Sequence, residues 1–446
     1  SHLSSALGLA LIENGRRGYF ARTTDLVQRL QVARRELSLE SAIAKLDRYD
    51  LLILDDLAYV TKDQLAVRQE CYPLDMYQCR SCGHVQLLDV VDPAVLFAHY
   101  SYFSGQSSGL VKHFEEYADN VVQRNALAQG GLVVDVGSND GTFLQCFKRK
   151  GFRVLGIDPA VNVARFACEQ GVETLPEFLN AALARRIRAD YGPAQVVSAN
   201  NVFAHTDDMA GMADSIRALM ADDGIFVFEV SYLLDVMDKM LLGTIFHEHV
   251  CYHTVGAMQA FLQRHGMELI DVERVSIQGG SLIGTAQVRG GRRPVMPGVG
   301  QLLALEKERK ITDPATLRHF SGELNRVRDE VRGLLHDLHG RGHPIAGFGA
   351  ARGGTLLLYH FELGDILRFI VDDSPDKQGL YSPGHHIPVL PTSALYEQKP
   401  DYAFILAWVH SKPIIRNHQK YLAQGGKFIT CFPGMMVVDK NTQPFW

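Results

Sequence analysis

The amino-acid sequence predicts an α/β protein built on parallel sheets. Two observations support this fold class: short apolar runs alternate with amphipathic stretches, and several runs end in a glycine-rich turn or an acidic residue. The alternation occurs in three blocks, over residues 1–64, 130–290 and 343–440. With 46% apolar and 21% charged residues in 446, the chain has enough apolar side chains for several buried cores.

The charge balance and the length of the apolar runs exclude several classes of protein. The net charge of -5 argues against a surface built for nucleic acid. The longest apolar runs, such as LVVDVG and IFVFEV, are far shorter than the ~20 residues that span a bilayer. Of seven cysteines, only Cys79 and Cys82 form a C-x-x-C pair, which does not indicate a disulfide framework. We therefore expect a cytoplasmic protein without nucleic-acid or membrane partners, whose oligomeric state the sequence leaves open.

The amino-terminal block contains the apolar run LLILDD at residues 51–56. A strand that ends in acidic residues is typical of ATPases, where a carboxylate lies beside nucleotide-bound magnesium. Residues 1–64 resemble the ATP-binding helper proteins of bacterial insertion sequences almost continuously. In that family a G-x-x-x-x-G-K-S loop precedes the H-L pair, and this sequence starts at Ser1. Because that loop holds the phosphates, we expect a truncated ATPase fragment, fused to another protein, that does not bind ATP.

The cysteine segment reads Cys79-Arg80-Ser81-Cys82-Gly83. This turn is typical of a zinc knuckle, but a closed structural zinc site needs four ligands. Cys71 and His84 are candidate additional ligands, and the chain has no second C-x-x-C. Two interpretations stay open: a pair of reduced cysteines, or zinc held by Cys79, Cys82 and other ligands.

Residues 132–158 predict a strand, a glycine-rich turn, a helix and a second strand that ends in Asp158. Asp158 lies 21 residues after Gly137, a spacing that suits a carboxylate that accepts hydrogen bonds from ribose hydroxyls. Asp140 in the turn would repel a pyrophosphate, which favours a cofactor without phosphates, such as S-adenosylmethionine. The alternative is a plain α/β sheet whose glycines serve only the turn. We predict these cofactor-binding residues: Asp135, Gly137, Asn139, Asp140, Gly141, Asp158, Asn200 and Asn201.

Residues 244–254, TIFHEHVCYHT, bring His247, Glu248, His249 and His253 together. In an extended segment, His247 and His249 would lie on one face. One interpretation is a metal site, although no H-E-x-x-H spacing occurs. A second is general base catalysis, because an imidazole of pKa near 6.5 suits removal of a proton from a carbon beside a carbonyl. A third is structural histidines bonded to the backbone.

The third block begins with PIAGFGAARGGTLLLYH, which predicts a strand, a glycine turn and a helix. The next strand ends at Asp372, near Lys377. We predict a site for the nucleoside diphosphate of a substrate at this turn. The alternatives are a structural Rossmann-like domain and an NAD-binding dehydrogenase. The predicted substrate residues here are Gly347, Gly349, Arg352, Gly353, Asp372 and Lys377.

Residues 71–446 resemble the sugar C-methyltransferases of deoxysugar and antibiotic pathways. The matching stretches include DVGSNDGTFL, NVFAHTDD, FHEHVCYHT, GFGAARGGTLL and VDDSPDKQG. The resemblance implies a class I methyltransferase-type Rossmann sheet and a second Rossmann-like carboxyl-terminal domain, beside a remnant zinc-type segment and the ATPase fragment. We accordingly expect five parts: an ATPase fragment at residues 1–64, a zinc-type segment with a helix at 65–129, a cofactor domain at 130–290, a helical connector at 291–342 and a nucleotide domain at 343–446.

The resemblance also implies a reaction: methyl transfer from S-adenosylmethionine to the carbon beside the ketone of a nucleotide-linked 4-keto deoxysugar. It implies His249 as the base, with His247 and Glu248 in support. Phe246 stands where better-known members have tyrosine, so Tyr252, Tyr100 or Tyr102 would have to supply the missing hydroxyl. We also predict Tyr100 and Tyr102 as substrate residues. The alternatives are a methyltransferase or binding protein for another small keto compound, and an inactive fusion product.

The resemblance further implies a second, upstream C-x-x-C that completes a four-cysteine zinc site with Cys79 and Cys82. In this chain the insertion-sequence fragment occupies that position. We therefore expect an incomplete zinc site, and a small domain that is weakened by it.

Overall fold

The computed structural model describes residues 59–66, 74–91, 103–432 and 434–442. They belong to two compact units. The central unit comprises residues 76–241 and 248–318, and the terminal unit comprises residues up to 75, residues 242–247 and the chain from 319 onward. Most of the predicted ATPase fragment lies outside the described residues, and the predicted five-part division of the chain stays a prediction.

The central unit contains a seven-stranded sheet. Its strands are β3 (Leu132–Val136), β4 (Arg153–Ile157), β5 (Thr174–Leu175), β6 (Ala194–Asn200), β7 (Met220–Ser231), β9 (Met267–Val275) and β10 (Ser281–Val288). The strand order is β5-β4-β3-β6-β7-β10-β9. The first five strands are parallel, and β10 pairs antiparallel with both β7 and β9. This is the sheet expected of a class I methyltransferase, so the predicted fold class is confirmed.

Eight helices accompany this sheet in the described part of the central unit. They are α1 (Ser108–Arg124), α2 (Thr142–Arg149), α3 (Val161–Glu169), α4 (Ala181–Tyr191), α5 (Met209–Leu219), α6 (Leu233–Asp238), α7 (Val255–Arg264) and α8 (Pro297–Glu308). Helix α1 begins after Ser107, whose hydroxyl accepts a hydrogen bond from the amide of Leu110. Its apolar residues recur at helical spacing, and Phe114 and Tyr117 pack on Phe143 of α2. This packing covers one face of the sheet.

A small antiparallel sheet in the same unit joins the cysteine segment to the chain that follows His249. It contains β1 (Met76–Gln78), β2 (Val85–Leu87) and β8 (Cys251–Tyr252), in that order. Val85 lies opposite Tyr252, and the amide of Leu87 donates to the carbonyl of Val250 at 2.7 Å. The position of the histidine segment therefore depends on this hairpin.

The terminal unit contains a six-stranded sheet. Its strands are β11 (Ile345–Phe348), β12 (Leu367–Asp372), β13 (Val389–Pro391), β14 (Tyr402–Ile405), β15 (Lys427–Thr430) and β16 (Met436–Val438). The order β13-β12-β11-β14-β15-β16, with only β16 antiparallel, is the 3-2-1-4-5-6 arrangement of Rossmann folds. The predicted Rossmann-like carboxyl-terminal domain is thus confirmed.

The remaining helices include the predicted connector. Helix α9 (Pro314–Gly340) follows α8, so two helices occupy the region that the charge and apolar pattern predicted to be helical. The terminal sheet is accompanied by α10 (Arg352–His360), α11 (Ala394–Glu397), α12 (Ser411–Asn417) and α13 (Gln419–Ala423). None of the helices in the described ranges has the length and apolar character that a membrane crossing requires.

Candidate functional site

The glycine-rich turn after β3 has a backbone that its residues dictate. Gly137 and Gly141 have φ of +68° and +77°, and a Cβ on Gly137 would lie 2.2 Å from a methyl group of Val202. Asp158, at the end of β4, accepts the amide of Asn139 on one carboxylate oxygen and the amide of Ala160 on the other, both at 2.9 Å. The carboxylate predicted to meet a ribose therefore also fixes the turn.

Two further predicted cofactor residues hold the segment before α1 over this turn. The side-chain oxygen of Asn139 accepts the amide of Ser104 at 2.9 Å, and Asp140 accepts the amide of Gly105 at 2.7 Å. The other oxygen of Asp140 accepts the hydroxyl of Thr142 at 2.6 Å. Sequence reasoning did not foresee this contact between the turn and residues 104–105.

Asp135, near the end of β3, is a buried carboxylate. Its Oδ1 accepts a hydrogen bond from the hydroxyl of Ser198 on the neighbouring strand β6 at 2.6 Å. Burial raises the pKa of Asp135, the hydrogen bond from Ser198 lowers it and the carboxylate of Asp158 raises it, and the net value is about 7. The group therefore titrates near neutral pH before any ligand binds.

This raised pKa predicts the pH dependence of stability. The folded protein holds the Asp135 proton up to about pH 7, whereas an unfolded aspartate releases it near pH 4, so the stability due to this group is lost as pH rises between these values. We expect Asp135→Asn to increase the free energy of unfolding at pH 8, without cofactor, by roughly 1–3 kcal/mol, and to have little effect near pH 4. Urea unfolding at both pH values measures this. The exposed Asp222→Asn is the control, and equal stability of Asp135→Asn and the unchanged protein at pH 8 would contradict the assignment.

The His-Glu-His segment forms a bend and a turn over residues 246–248. The expectation that His247 and His249 share the face of an extended segment is therefore wrong. The chain has to reverse here, because it leaves a short 3-10 helix at Leu242–Thr244 and enters β8 two residues after His249. His247 and Glu248 are buried, at 1% and 2% exposure, and His249 is half-buried.

His249 stacks on a histidine that sequence reasoning did not single out. The rings of His205 and His249 lie 5.1 Å apart at 22°. His205 belongs to the loop that leaves the carboxyl end of β6 after Asn200 and Asn201, and the amide of Cys251 donates to the carbonyl of Ala204 in this loop at 3.0 Å. The sequence feature that could have identified His205 as a site residue is its position in NVFAH, just beyond a strand that ends in polar residues.

His253 has a structural environment. It is buried, its ring stacks on Phe203 at 6.2 Å and lies 5.7 Å from the ring of His84. Burial and then the nearby His84 lower its pKa, to about 3 in all, so His253 is neutral at physiological pH. Of the three interpretations of the cluster, the structural one fits His253.

The cysteine knuckle is formed, and the described residues around it do not supply a complete set of zinc ligands. Gly83 has φ of +73°, its amide donates to the carbonyl of Cys79 at 2.9 Å, and the amide of Cys79 donates to the carbonyl of His84 at 2.8 Å. Hydrogen bonds from the amides of Cys82 and Ser81 lower the pKa of the Cys79 thiol. Within the ranges that the structure describes, no three His, Cys, Asp or Glu side chains are grouped to hold a metal. Cys71 lies outside those ranges, and two thiols fall short of the four ligands that structural zinc requires.

The turn after β11 repeats the arrangement of the turn after β3. Gly349 has φ of +97°, and its amide donates to the carbonyl of Val371 at 2.8 Å. Asp372, at the end of β12, accepts the amides of Ala350 at 2.6 Å and Ser374 at 2.8 Å, as Asp158 does in the central unit. Lys377 lies 3.8 Å from the same carboxylate. The structure thus brings Gly349, Asp372 and Lys377 together.

Two predicted substrate residues have packing roles. A Cβ on Gly347 would lie 2.9 Å from the side chain of Leu406, and a Cβ on Gly353 would lie 3.0 Å from the Cα of Gly243. Close approach of neighbouring groups explains both glycines without a ligand. The side chain of Arg352 and the residues Tyr100 and Tyr102 lie outside the described part of the chain.

Comparison with known proteins finds family models that match successive parts of the chain. Residues 110–272 match the family model of a methyltransferase domain, and residues 276–433 match that of a C-methyltransferase C-terminal domain. C-methyltransferase NovU of Streptomyces niveus is 36% identical over 372 residues, which cover 83% of this chain and 89% of NovU. The chain belongs to the C-methyltransferase family. The predicted resemblance is confirmed, and the protein is an S-adenosylmethionine-dependent methyltransferase.

The amino-terminal part of this C-methyltransferase matches a different protein. Residues 1–72 match the model of an IstB-like ATP binding protein, and residues 56–97 match that of a zinc binding domain. The insertion sequence ATP-binding protein y4iQ/y4nD/y4sD of Sinorhizobium fredii (strain NBRC 101917 / NGR234) is 83% identical over 64 residues, 14% of this chain and 22% of that protein. The predicted insertion-sequence fragment is confirmed, and residues 56–72, matched by both models, contain the junction.

Among solved structures, the magnesium protoporphyrin IX methyltransferase ChlM of Synechocystis PCC 6803 with bound S-adenosylmethionine is 18% identical, with a TM-score of 0.31. The overlap covers 41% of this chain and 81% of ChlM.

The residues at the first turn fit S-adenosylmethionine, the cofactor of this C-methyltransferase. The carboxylates of Asp135, Asp140 and Asp158 surround the turn, which suits a ligand with a cationic sulfur and ribose hydroxyls and disfavours a pyrophosphate. Asn200 and Asn201 lie at the carboxyl end of β6, at the sheet edge where such folds bind ligands.

Proposed function

We propose that this C-methyltransferase acts on a nucleotide-linked 4-keto deoxysugar and methylates the carbon beside the ketone after His249 removes a proton from that carbon. The observation that carries the proposal is the placement of His249, half-buried and stacked on His205 in the loop that follows the carboxyl end of β6. The similarity to NovU, which is named as a C-methyltransferase, supports the reaction class.

His249 suits the role of base for three reasons. A neutral imidazole accepts a proton at physiological pH, and a carbon beside a ketone is acidic enough to give one up. The neighbouring His253 is neutral and adds no positive charge that would reduce the basicity of His249. The stack on His205 restricts the rotation of the ring.

Bound S-adenosylmethionine supplies an electrophilic methyl group on a positively charged sulfur. The residues around it have to keep water out and stabilise the negative charge that develops on the ketone oxygen. Phe246 has no hydroxyl for this purpose, and Tyr252 is buried in β8 opposite Val85. We therefore assign as supporting groups His205, which stacks on His249, and the buried Glu248 and His247, which precede His249 in the sequence.

The turn after β11 is proposed to bind the nucleotide part of the substrate. Gly349, Asp372 and Lys377 lie at the carboxyl ends of the strands at the centre of a Rossmann sheet, where these folds bind nucleotides. The Lys377 ammonium is available to a phosphate, because its ion pair with Asp372 spans 3.8 Å and the side chain is 39% exposed.

The proposed function predicts proton exchange without methyl transfer. In deuterated water, with S-adenosylhomocysteine in place of the methyl donor, the protein should catalyse uptake of deuterium at C3 of thymidine diphosphate 4-keto-6-deoxyglucose, because removal of the proton does not need the methyl group. Proton NMR of the sugar measures the uptake. No uptake above a protein-free control, with the ligands shown to bind by thermal shift, would favour an inactive fusion product instead.

A further inference from the structure

A row of polar side chains crosses the carboxyl edge of the central sheet on one face. Asp135 lies opposite Ser198, and Asn200 lies opposite Glu229 on β7, in parallel strand pairs. Side chains in register in adjacent strands share a face, and Ser198 and Asn200 are two residues apart on the same strand. Asp135, Asn200 and Glu229 therefore point to the same side of the sheet.

Helix α1 supplies two more polar groups to this row. The Nε2 atom of His113 lies 2.6 Å from one carboxylate oxygen of Glu229, whose side chain is completely buried. The hydroxyl of Tyr117 is also buried, and its pKa is raised by burial and then by the carboxylates of Glu229 and Asp135. The row thus continues from the cofactor turn to α1.

Several atoms in this row are shielded from solvent and have no hydrogen-bond partner among the described residues. They are the Tyr117 hydroxyl, the second carboxylate oxygen of Glu229, and both the oxygen and the nitrogen of the Asn200 amide. Buried polar groups are almost always hydrogen-bonded, so a concentration of such atoms beside a ligand-binding edge indicates a missing polar ligand.

The chemistry of the orphaned atoms identifies the ligand group. Glu229 and the Asn200 oxygen accept hydrogen bonds, whereas the Asn200 nitrogen and the Tyr117 hydroxyl donate them. A group that satisfies both sets carries an ammonium and a carboxylate on neighbouring atoms, as the α-amino acid end of S-adenosylmethionine does. The Oε1 atom of Glu229 is the carboxylate oxygen that His113 leaves unpaired, and an acceptor of this kind favours the ammonium in particular.

We propose that Glu229 and Asn200 bind the α-ammonium group of the cofactor, and that Tyr117 and the Asn200 nitrogen donate to its carboxylate. This assignment deepens the proposed function and rests on its cofactor, S-adenosylmethionine. The assignment does not depend on the sugar substrate or on the role of His249. Sequence reasoning assigned Asn200 to the cofactor, but it left Tyr117 and His113 out and gave Glu229 no partner group.

The test compares two ligands by isothermal titration calorimetry with the full chain. S-adenosylhomocysteine carries the amino acid end, whereas 5′-methylthioadenosine keeps the adenosine and sulfur and lacks it. We expect Glu229→Gln to weaken S-adenosylhomocysteine binding about 10-fold or more and to leave 5′-methylthioadenosine binding within about 2-fold. Glu273→Gln, which changes a half-buried carboxylate on β9 that pairs with Arg124, is the matched control and should change neither affinity.

Three outcomes would overturn the proposal. Equal weakening of both ligands by Glu229→Gln would indicate a structural role. Weakening of neither ligand would mean that buried water alone satisfies these atoms. Equally tight binding of both ligands by the unchanged protein would mean that the amino acid end contributes nothing. Absence of any binding by the unchanged protein is distinguishable from these, because it would contradict the proposed function itself.

Discussion

His249→Ala should slow both deuterium uptake at C3 of the ketosugar and methyl transfer by about 10²–10⁴-fold, the range for loss of a general base. The effect is expected in both reactions because removal of the proton precedes methyl transfer. Binding of S-adenosylhomocysteine should stay within about 2-fold of the unchanged protein, because the predicted and proposed cofactor residues lie on the turn after β3 and on β6 and β7. Single-turnover kinetics and calorimetry measure the two quantities.

A histidine elsewhere provides the control for His249. His336 is exposed on α9, so His336→Ala should leave uptake, methylation and binding unchanged. His205→Ala should reduce the rate less than His249→Ala and shift its dependence on pH, since His205 contacts the base and acts through it. Undiminished uptake with His249→Ala would exclude His249 as the base.

The sequence predicted those parts of the site that depend on local chain geometry. The turn at Gly137, the carboxylate of Asp158 and the strand that ends at Asn200 follow from apolar periodicity and glycine spacing within a short stretch. The same signals predicted the second Rossmann sheet. Each depends on residues near one another in the chain, where pattern alone decides the structure.

Contacts between distant residues could not be predicted in this way. The stack of His205 on His249 and the pairing of Val85 with Tyr252 depend on how separate segments meet, which leaves no periodicity in either one. Gly353 illustrates the same limit. Its place in a glycine-rich turn predicts a substrate residue, whereas the close approach of the Gly243 backbone, which also requires glycine there, could not be predicted from that pattern.

Glu306 is another long-range contact, and its loss should cause the largest change in stability. This buried carboxylate on α8 accepts the amides of Val255 at 2.6 Å and Gly256 at 2.9 Å, the first two residues of α7. It also accepts the hydroxyl of Tyr232 at 3.0 Å. Amides at a helix start have no partner within the helix, so this carboxylate satisfies them and interacts with the positive end of the helix dipole.

We expect Glu306→Ala to lower the free energy of unfolding by about 3–5 kcal/mol, because it leaves two amides and a phenol buried without an acceptor. Glu306→Gln should cost less, roughly 1–2 kcal/mol, since one amide oxygen can still accept the bonds from Val255 and Tyr232 that share Oε1. The exposed Glu308→Ala on the same helix should change stability by less than about 0.5 kcal/mol.

Urea unfolding of the three variants tests this order. If Glu306→Ala were no less stable than Glu308→Ala, the carboxylate would not hold the start of α7. The expected order has a consequence for the site, because β8 and Thr254 connect His249 directly to α7. A loosened α7 start would release the segment on which His249 depends, so Glu306→Ala should also slow deuterium uptake at C3 at temperatures where the protein is still folded, while Glu308→Ala should not.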